Sequence, residues 1–87
     1  MKPLAAGNSM TVSSANARYV LTLIGGNTGA RGMYIVAGYA SSVEVRAVQE
    51  VSSGIVSTSG SNVIINNNTQ YAMNVCATLY AGNITMS

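Results

Sequence analysis

Histidine, aspartate, phenylalanine and tryptophan are all missing from this chain, and it holds a single cysteine and a single proline. General acid–base catalysis wants a histidine or carboxylate of tuned pKa beside a partner. Here the carboxylates are only Glu44 and Glu50. On one strand they would stand roughly 20 Å apart, at about 3.3 Å per residue, which is too far for a catalytic pair. The serines and threonines have no evident base, and Cys76 alone makes an intrachain disulfide impossible. One cysteine without histidine cannot assemble a zinc site. The expectation is therefore a protein that is not an enzyme, with no catalytic residue, no metal and no cofactor.

Charge is scarce as well. Lys2, Arg18, Arg31 and Arg46 face only two glutamates, so 7% of the chain is charged, against about a quarter in an ordinary domain. A net charge of +2, scattered along the chain, gives no basic patch and no expectation of nucleic acid as a partner. No apolar run approaches a membrane span, so no membrane partner is expected. The first residues lack the apolar stretch of a secretory leader, so synthesis in a cytoplasm is expected. A small core without large aromatics, disulfide or metal needs another source of stability. Oligomerisation is the one left, and a surface of Ser, Thr, Asn and Gln suits a subunit whose faces are covered.

What the chain does have is alternation. Residues 18–24, RYVLTLI, place Tyr19, Leu21 and Leu23 on one face, and a period of two marks a strand with one side buried. Residues 63–65 lead into an Asn-rich corner, followed by a long limb, residues 70–80. There Tyr71, Met73, Val75, Ala77 and Leu79 share one face. We read residues 63–80 as a hairpin. Short strands are also expected at residues 10–14, 33–40, 55–58 and 84–86. Residues 41–51 are read as strand, because Val43, Val45 and Ala47 alternate with Glu44 and Arg46, although Ser41 with Glu44 resembles a helix capping box. Gly38 inside its strand signals a bulge or a close backbone approach. The Gly-rich stretch 25–32 lacks the Lys and Ser/Thr of a P-loop and reads as a hairpin loop, with Arg31 at its tip. Residues 1–9 read as an extended arm. The whole is a single small all-β domain over residues 10–87, an antiparallel sandwich or jelly-roll-like fold of seven or eight short strands. Two sequons, at Asn67 and Asn83, arise easily in so Asn- and Thr-rich a chain.

The candidate contact residues follow from these faces. Tyr19 and Tyr71 are assigned to the core, while Tyr34, Tyr39 and Tyr80 are candidate contacts for a subunit or a glycan. Arg31 joins them as a candidate subunit contact. The bland side of the long limb, with Ala72, Asn74, Cys76 and Thr78, is small enough to pack closely, and a subunit contact is expected there first.

The segments GMYIVAGYASSVEVRAV and SGSNVIINNNTQYAMNVCATLYAG, within residues 32–82, resemble the compact β-sandwich heads of bacteriophage fibre and other virion proteins. The resemblance is one of strand style and implies a jelly-roll or TNF-like homotrimer located in the virion. The chain lacks the shaft or coiled coil of a fibre head, which favours a stand-alone capsid decoration or cement protein over a tail fibre or tail-tip component. In that setting its partners would be copies of itself and other virion proteins, with the arm gripping the particle. The alternative is a carbohydrate-binding or adhesin-like module.

Overall fold

The computed structural model describes residues 1–25, 29–52 and 54–87. These form nine strands and no helix: β1 (Lys2–Leu4), β2 (Ser9–Ser13), β3 (Arg18–Gly25), β4 (Arg31–Gly38), β5 (Val43–Gln49), β6 (Val56–Ser59), β7 (Asn62–Asn66), β8 (Met73–Ala81) and β9 (Thr85–Met86). They make two antiparallel sheets, in the orders β1-β8-β3-β4-β5 and β6-β7-β2-β9. The expected all-β sandwich is thus present, with one strand more than the upper expectation.

The extra strand lies in the segment read as an arm. Lys2, Pro3 and Leu4 pair with Val75, Asn74 and Met73 of β8. Leu4 is buried. One apolar side chain directed inward, and a free edge of β8 to pair with, are enough to hold this short piece. Its proline stands on an edge strand, where a missing N–H costs least. Ser9, the last residue of the expected arm, already belongs to β2.

Apolar side chains of alternate residues fill the space between the sheets. Tyr19, Leu21 and Leu23 of β3 meet Val12 of β2 and Val63 and Ile65 of β7, all essentially without solvent exposure. Interdigitation of two inner faces is the ordinary way a sandwich core is made. Ser14 is a buried polar residue beside Tyr19. Its hydroxyl donates to the Val12 carbonyl at 2.9 Å and lies 2.7 Å from the Tyr19 hydroxyl. Among the described residues no buried polar side-chain atom lacks a hydrogen-bond partner.

Residues 63–80 are not a hairpin. β7 lies in the four-stranded sheet and β8 in the five-stranded one, so the Asn-rich corner carries the chain across the sandwich. Both limbs point apolar residues inward, Val63 and Ile65 from one side and Met73 and Val75 from the other. Alternation reports which face is buried; it does not report the pairing partner. Asn67 explains the corner. Its buried side chain donates to the Leu4 and Tyr71 carbonyls, both at 2.9 Å, and its Oδ1 accepts from the Thr69 N–H at 3.1 Å. A side chain so engaged is not a glycan acceptor, although it opens a sequon. Tyr71 is held in the corner by its carbonyl and is 45% exposed rather than core. Leu79 is also exposed, since burial along β8 fades after Val75.

Other expectations hold. β5 is strand, in antiparallel register with β4 from Gly38↔Val43 to Tyr34↔Ala47. The β6–β7 turn is tight, with Ser59 paired to Asn62 and Gly60 at φ 58°. The Gly-rich stretch joins β3 to β4, closed by a bond from the Gly25 N–H to the Ala30 carbonyl at 2.7 Å. Residues 26–28 of that loop lie outside the described residues, and so does Ser53, in the Ser52-Ser53-Gly54 stretch whose composition predicts a turn. Arg31 is not at the loop tip; it is the first residue of β4, paired with Ile24.

Gly38 marks a close approach of two backbones. A Cβ there would stand 1.6 Å from the Ser14 carbonyl oxygen, and the Gly38 N–H bonds to the Ala17 carbonyl at 2.8 Å. We therefore expect Gly38→Ala to separate β4 from the β2–β3 turn and to cost more than about 3 kcal/mol. Urea denaturation followed by circular dichroism measures this; a loss below about 1 kcal/mol would show that the contact yields.

Candidate interaction surface

Strand geometry sends every second residue of the five-stranded sheet outward, and the registers give the composition of that face. Val20, Thr22 and Ile24 of β3 lie between Ile35, Met33 and Arg31 of β4 on one side and Thr78, Cys76 and Asn74 of β8 on the other. Ile24, Met33 and Ile35 are 52%, 42% and 54% exposed, and Val20 is half-buried. Antiparallel sheets that face water on one side normally alternate apolar inward with polar outward. Here the outer side keeps β-branched and methionine side chains at its centre. Its charged residues are Arg31 near one end, Arg18 near the other and opposite Ala37, and, along the β5 edge, Glu44 and Arg46 opposite Ala37 and Ile35. An apolar patch rimmed by polar groups is the usual mark of an interaction site.

The candidate contact residues divide on this frame. Arg31, Asn74 and Thr78 share the outer face, with Arg31 and Asn74 both opposite Ile24. Ala72 is exposed but precedes β8, so it lies outside the sheet. Tyr80 is exposed where the β3–β8 register slips between Arg18 and Tyr19. Tyr39 is exposed beyond the end of β4, and the Arg18 guanidinium sits over its ring, 4.9 Å from the centroid. Arg18 is also tied to the Ala17 carbonyl at 3.1 Å and to the Gly38 carbonyl, so the stack is braced from below. Tyr34 is not a surface contact. It points into the sandwich and is 1% exposed, because an even step from Val36 on the same strand puts it on the buried face.

Tyr34 reaches instead the floor of a second feature. A cleft of about 270 Å³ opens between the edge strands β5 and β6, lined by Tyr34, Val45, Ala47, Glu50, Val56, Ser57 and Thr58. The Tyr34 hydroxyl accepts a hydrogen bond from the Val51 N–H at 2.9 Å and donates to the Glu50 carboxylate at 3.2 Å. It thereby ties down the segment leaving β5. Burial pushes the Tyr34 phenol above its ordinary value; the bond from Val51 opposes this, and the negative charge of Glu50 adds to it. Burial likewise raises Tyr19, against the pull of Ser14.

Alternation puts Val20, Thr22 and Ile24 on the side of β3 opposite Tyr19, with partial cover expected there, but Met33 and Ile35 were not singled out as surface residues. The signal was present: β3 and β4 are apolar at both phases of the alternation, which in a two-sheet fold leaves one apolar face outward. No protein-family model matches the chain, and neither does any curated protein or solved structure.

Both raised phenols keep their protons in the folded state past pH 10, the ordinary tyrosine value, where unfolded chains lose them. Their contribution to stability is complete below about pH 10 and is lost as pH rises toward the folded values. Denaturant midpoints taken from about pH 8 to about pH 11 should fall at the alkaline end, and less steeply in Tyr34→Phe. An unchanged slope in that variant would remove Tyr34 from the account. At neutral pH the same change should cost about 1 kcal/mol through the lost ties to Val51 and Glu50.

Proposed function

We propose that this chain is a non-enzymatic structural subunit of a bacteriophage particle, acting as a homo-oligomer that decorates or cements a surface in the virion. The observation that carries the assembly part is the apolar outer face of the five-stranded sheet, centred on Val20, Ile24, Met33 and Ile35. Burial of apolar area is worth roughly 25 cal/mol per Å², and a chain with 7% charged residues has little else to keep such a face in water. The virion part rests on the resemblance of residues 32–82 to phage β-sandwich heads. That resemblance also favours a trimer, and a decoration role over a tail fibre or tail-tip one. Copies of the chain and other virion proteins are the partners in this reading.

The glycan alternative draws less support from the geometry. Of its three tyrosines, Tyr34 is buried and Tyr39 has Arg18 over its ring, which leaves no open aromatic platform formed by the three together. The pairing of residues 2–4 with β8 also changes what the N-terminal segment could do. Gripping a particle with it as an extended arm would mean stripping an edge strand from the sandwich, so the outer face is the better attachment surface.

Light scattering coupled to size exclusion tests this reading. The wild-type chain should elute as an oligomer. Replacing Ile24 and Ile35 together by asparagine should lower the mass while leaving the circular dichroism unchanged, since both side chains are exposed in the single chain. A wild-type chain that is a soluble monomer at all concentrations would remove the assembly reading.

A further inference from the structure

We propose that the free edge of β5 is a two-fold docking site for β5 of a second copy, joining two five-stranded sheets into one continuous sheet. This contact is separate from the outer-face packing and does not depend on it.

β5 ends its sheet, and among the described residues nothing pairs with its far side. The phase of its backbone can be read from neighbouring bonds. The Gly38 N–H goes to Ala17, away from β5, whereas the next residue, Tyr39, donates its N–H to Ser42 at 2.8 Å. In an antiparallel ladder, hydrogen-bonded and non-bonded pairs alternate. Gly38↔Val43 is therefore a non-bonded pair, and so are Val36↔Val45 and Tyr34↔Ala47 in the same unbroken register. The backbone N–H and C=O groups of Val43, Val45 and Ala47 consequently point outward from the sheet edge, where no described residue pairs with them. A second strand can be received at those three positions.

Side-chain charge then selects the register. Glu44 and Arg46 flank Val45 on the outer face and are both exposed. An antiparallel self-pairing centred on Glu44 sets glutamate against glutamate, and one centred on Arg46 sets arginine against arginine. Centring on Val45 places Glu44 of each copy opposite Arg46 of the other, twice over by symmetry. The same centre aligns Val45 with its own copy and Val43 with Ala47. These are the residues whose backbone groups point outward, so each aligned pair exchanges two N–H···O bonds. Hydrogen-bond phase and charge pattern thus agree on one register out of several. An isologous contact of this kind requires a self-complementary surface, and the sequence Val-Glu-Val-Arg-Ala supplies one along a strand. Edge charges commonly block strand addition; here their opposite signs block every neighbouring register and favour this one. Val45 and Ala47 also line the cleft between β5 and β6, so the pairing brings the two clefts together and covers their apolar walls.

Sedimentation equilibrium across a concentration series tests the contact, both in the wild-type chain and in I24N/I35N, where the outer face is silenced. Association is expected to persist in I24N/I35N as a dimer. Glu44→Arg and Arg46→Glu, each alone, set like charges across the interface twice and should weaken that dimer about tenfold or more. The double variant E44R/R46E restores both opposite-sign pairs and should recover the affinity. A within-strand Glu44–Arg46 ion pair is the same in monomer and dimer and would leave the association constant unmoved. Val45→Pro removes an outward N–H that the single chain does not use, a change that edge strands tolerate. It should abolish the dimer with the circular dichroism unchanged. Three results would each overturn the proposal: an I24N/I35N chain that stays monomeric up to about 1 mM, single reversals without effect, or a double variant no better than the singles. If I24N/I35N does not fold, the same variants in the wild-type background decide through the loss and recovery of one two-fold step in mass. Failure of the outer face alone would appear as an unchanged mass in I24N/I35N beside a normal response to the charge reversals.

Discussion

One asparagine sets how the ends of this sandwich are held. Asn67 is buried where β7 turns toward β8, and its side chain bonds to Leu4, Thr69 and Tyr71. Its backbone accepts from the Gly7 N–H at 2.8 Å and donates to the Asn8 carbonyl at 2.9 Å. A single residue therefore ties the link between β1 and β2 to the corner between β7 and β8. At both of these links the chain changes sheets. Buried backbone groups must find partners, and irregular backbone at the end of a sandwich has no ladder to supply them. The amide side chain, with donor and acceptor on one planar group, does it at little volume. With no disulfide to cross-link the sheets, polar stitches of this kind and the aliphatic interior share the work.

The same economy appears elsewhere. Ser14 joins Val12 to Tyr19 inside the core, Tyr34 joins the exit of β5 to the floor of the cleft, and Arg18 braces the end of β4 while covering Tyr39. Each tyrosine that enters the interior brings a hydroxyl, and each hydroxyl has been given a partner. In a chain without phenylalanine or tryptophan, tyrosine supplies the largest core side chains, and its hydrogen bonds help set where they lie.

Much of this architecture was legible in the residues. The strands at β3, β4 and β5, the inward set Tyr19, Leu21 and Leu23, and the close approach at Gly38 all follow from alternation and from glycine in a strand. Pairing was not legible. Val63 and Ile65 alternate just as Met73 and Val75 do, and nothing in a period of two tells whether two strands lie side by side or face to face. The short β1 was hidden because one inward residue, Leu4, makes no pattern. Tyr34 and Tyr71 were assigned to the wrong sides for related reasons. The phase of β4 is ambiguous when both of its faces are apolar, and the regular part of β8 starts two residues after Tyr71. On the candidate surface, Asn74 and Thr78 were placed on the outer face correctly, while Met33 and Ile35, which share its centre with Ile24, were assigned to neither side.

The position of β8 has a consequence for how the molecule comes into being. It is the last long strand, yet it fills the place between β1 and β3, so the first strand made has no partner until nearly the last one exists. A growing chain can form β3, β4 and β5 as a local meander, but β3 keeps an open edge and Leu4 stays in solvent until residues 73–81 leave the ribosome. Closure is then a late event that pairs Lys2–Leu4 with β8 and the two-residue β9 with β2. Proteins dominated by such distant pairings fold on the slow side for their size, in milliseconds to seconds. The outer face of the five-stranded sheet is thus complete only once β8 is in place beside β3.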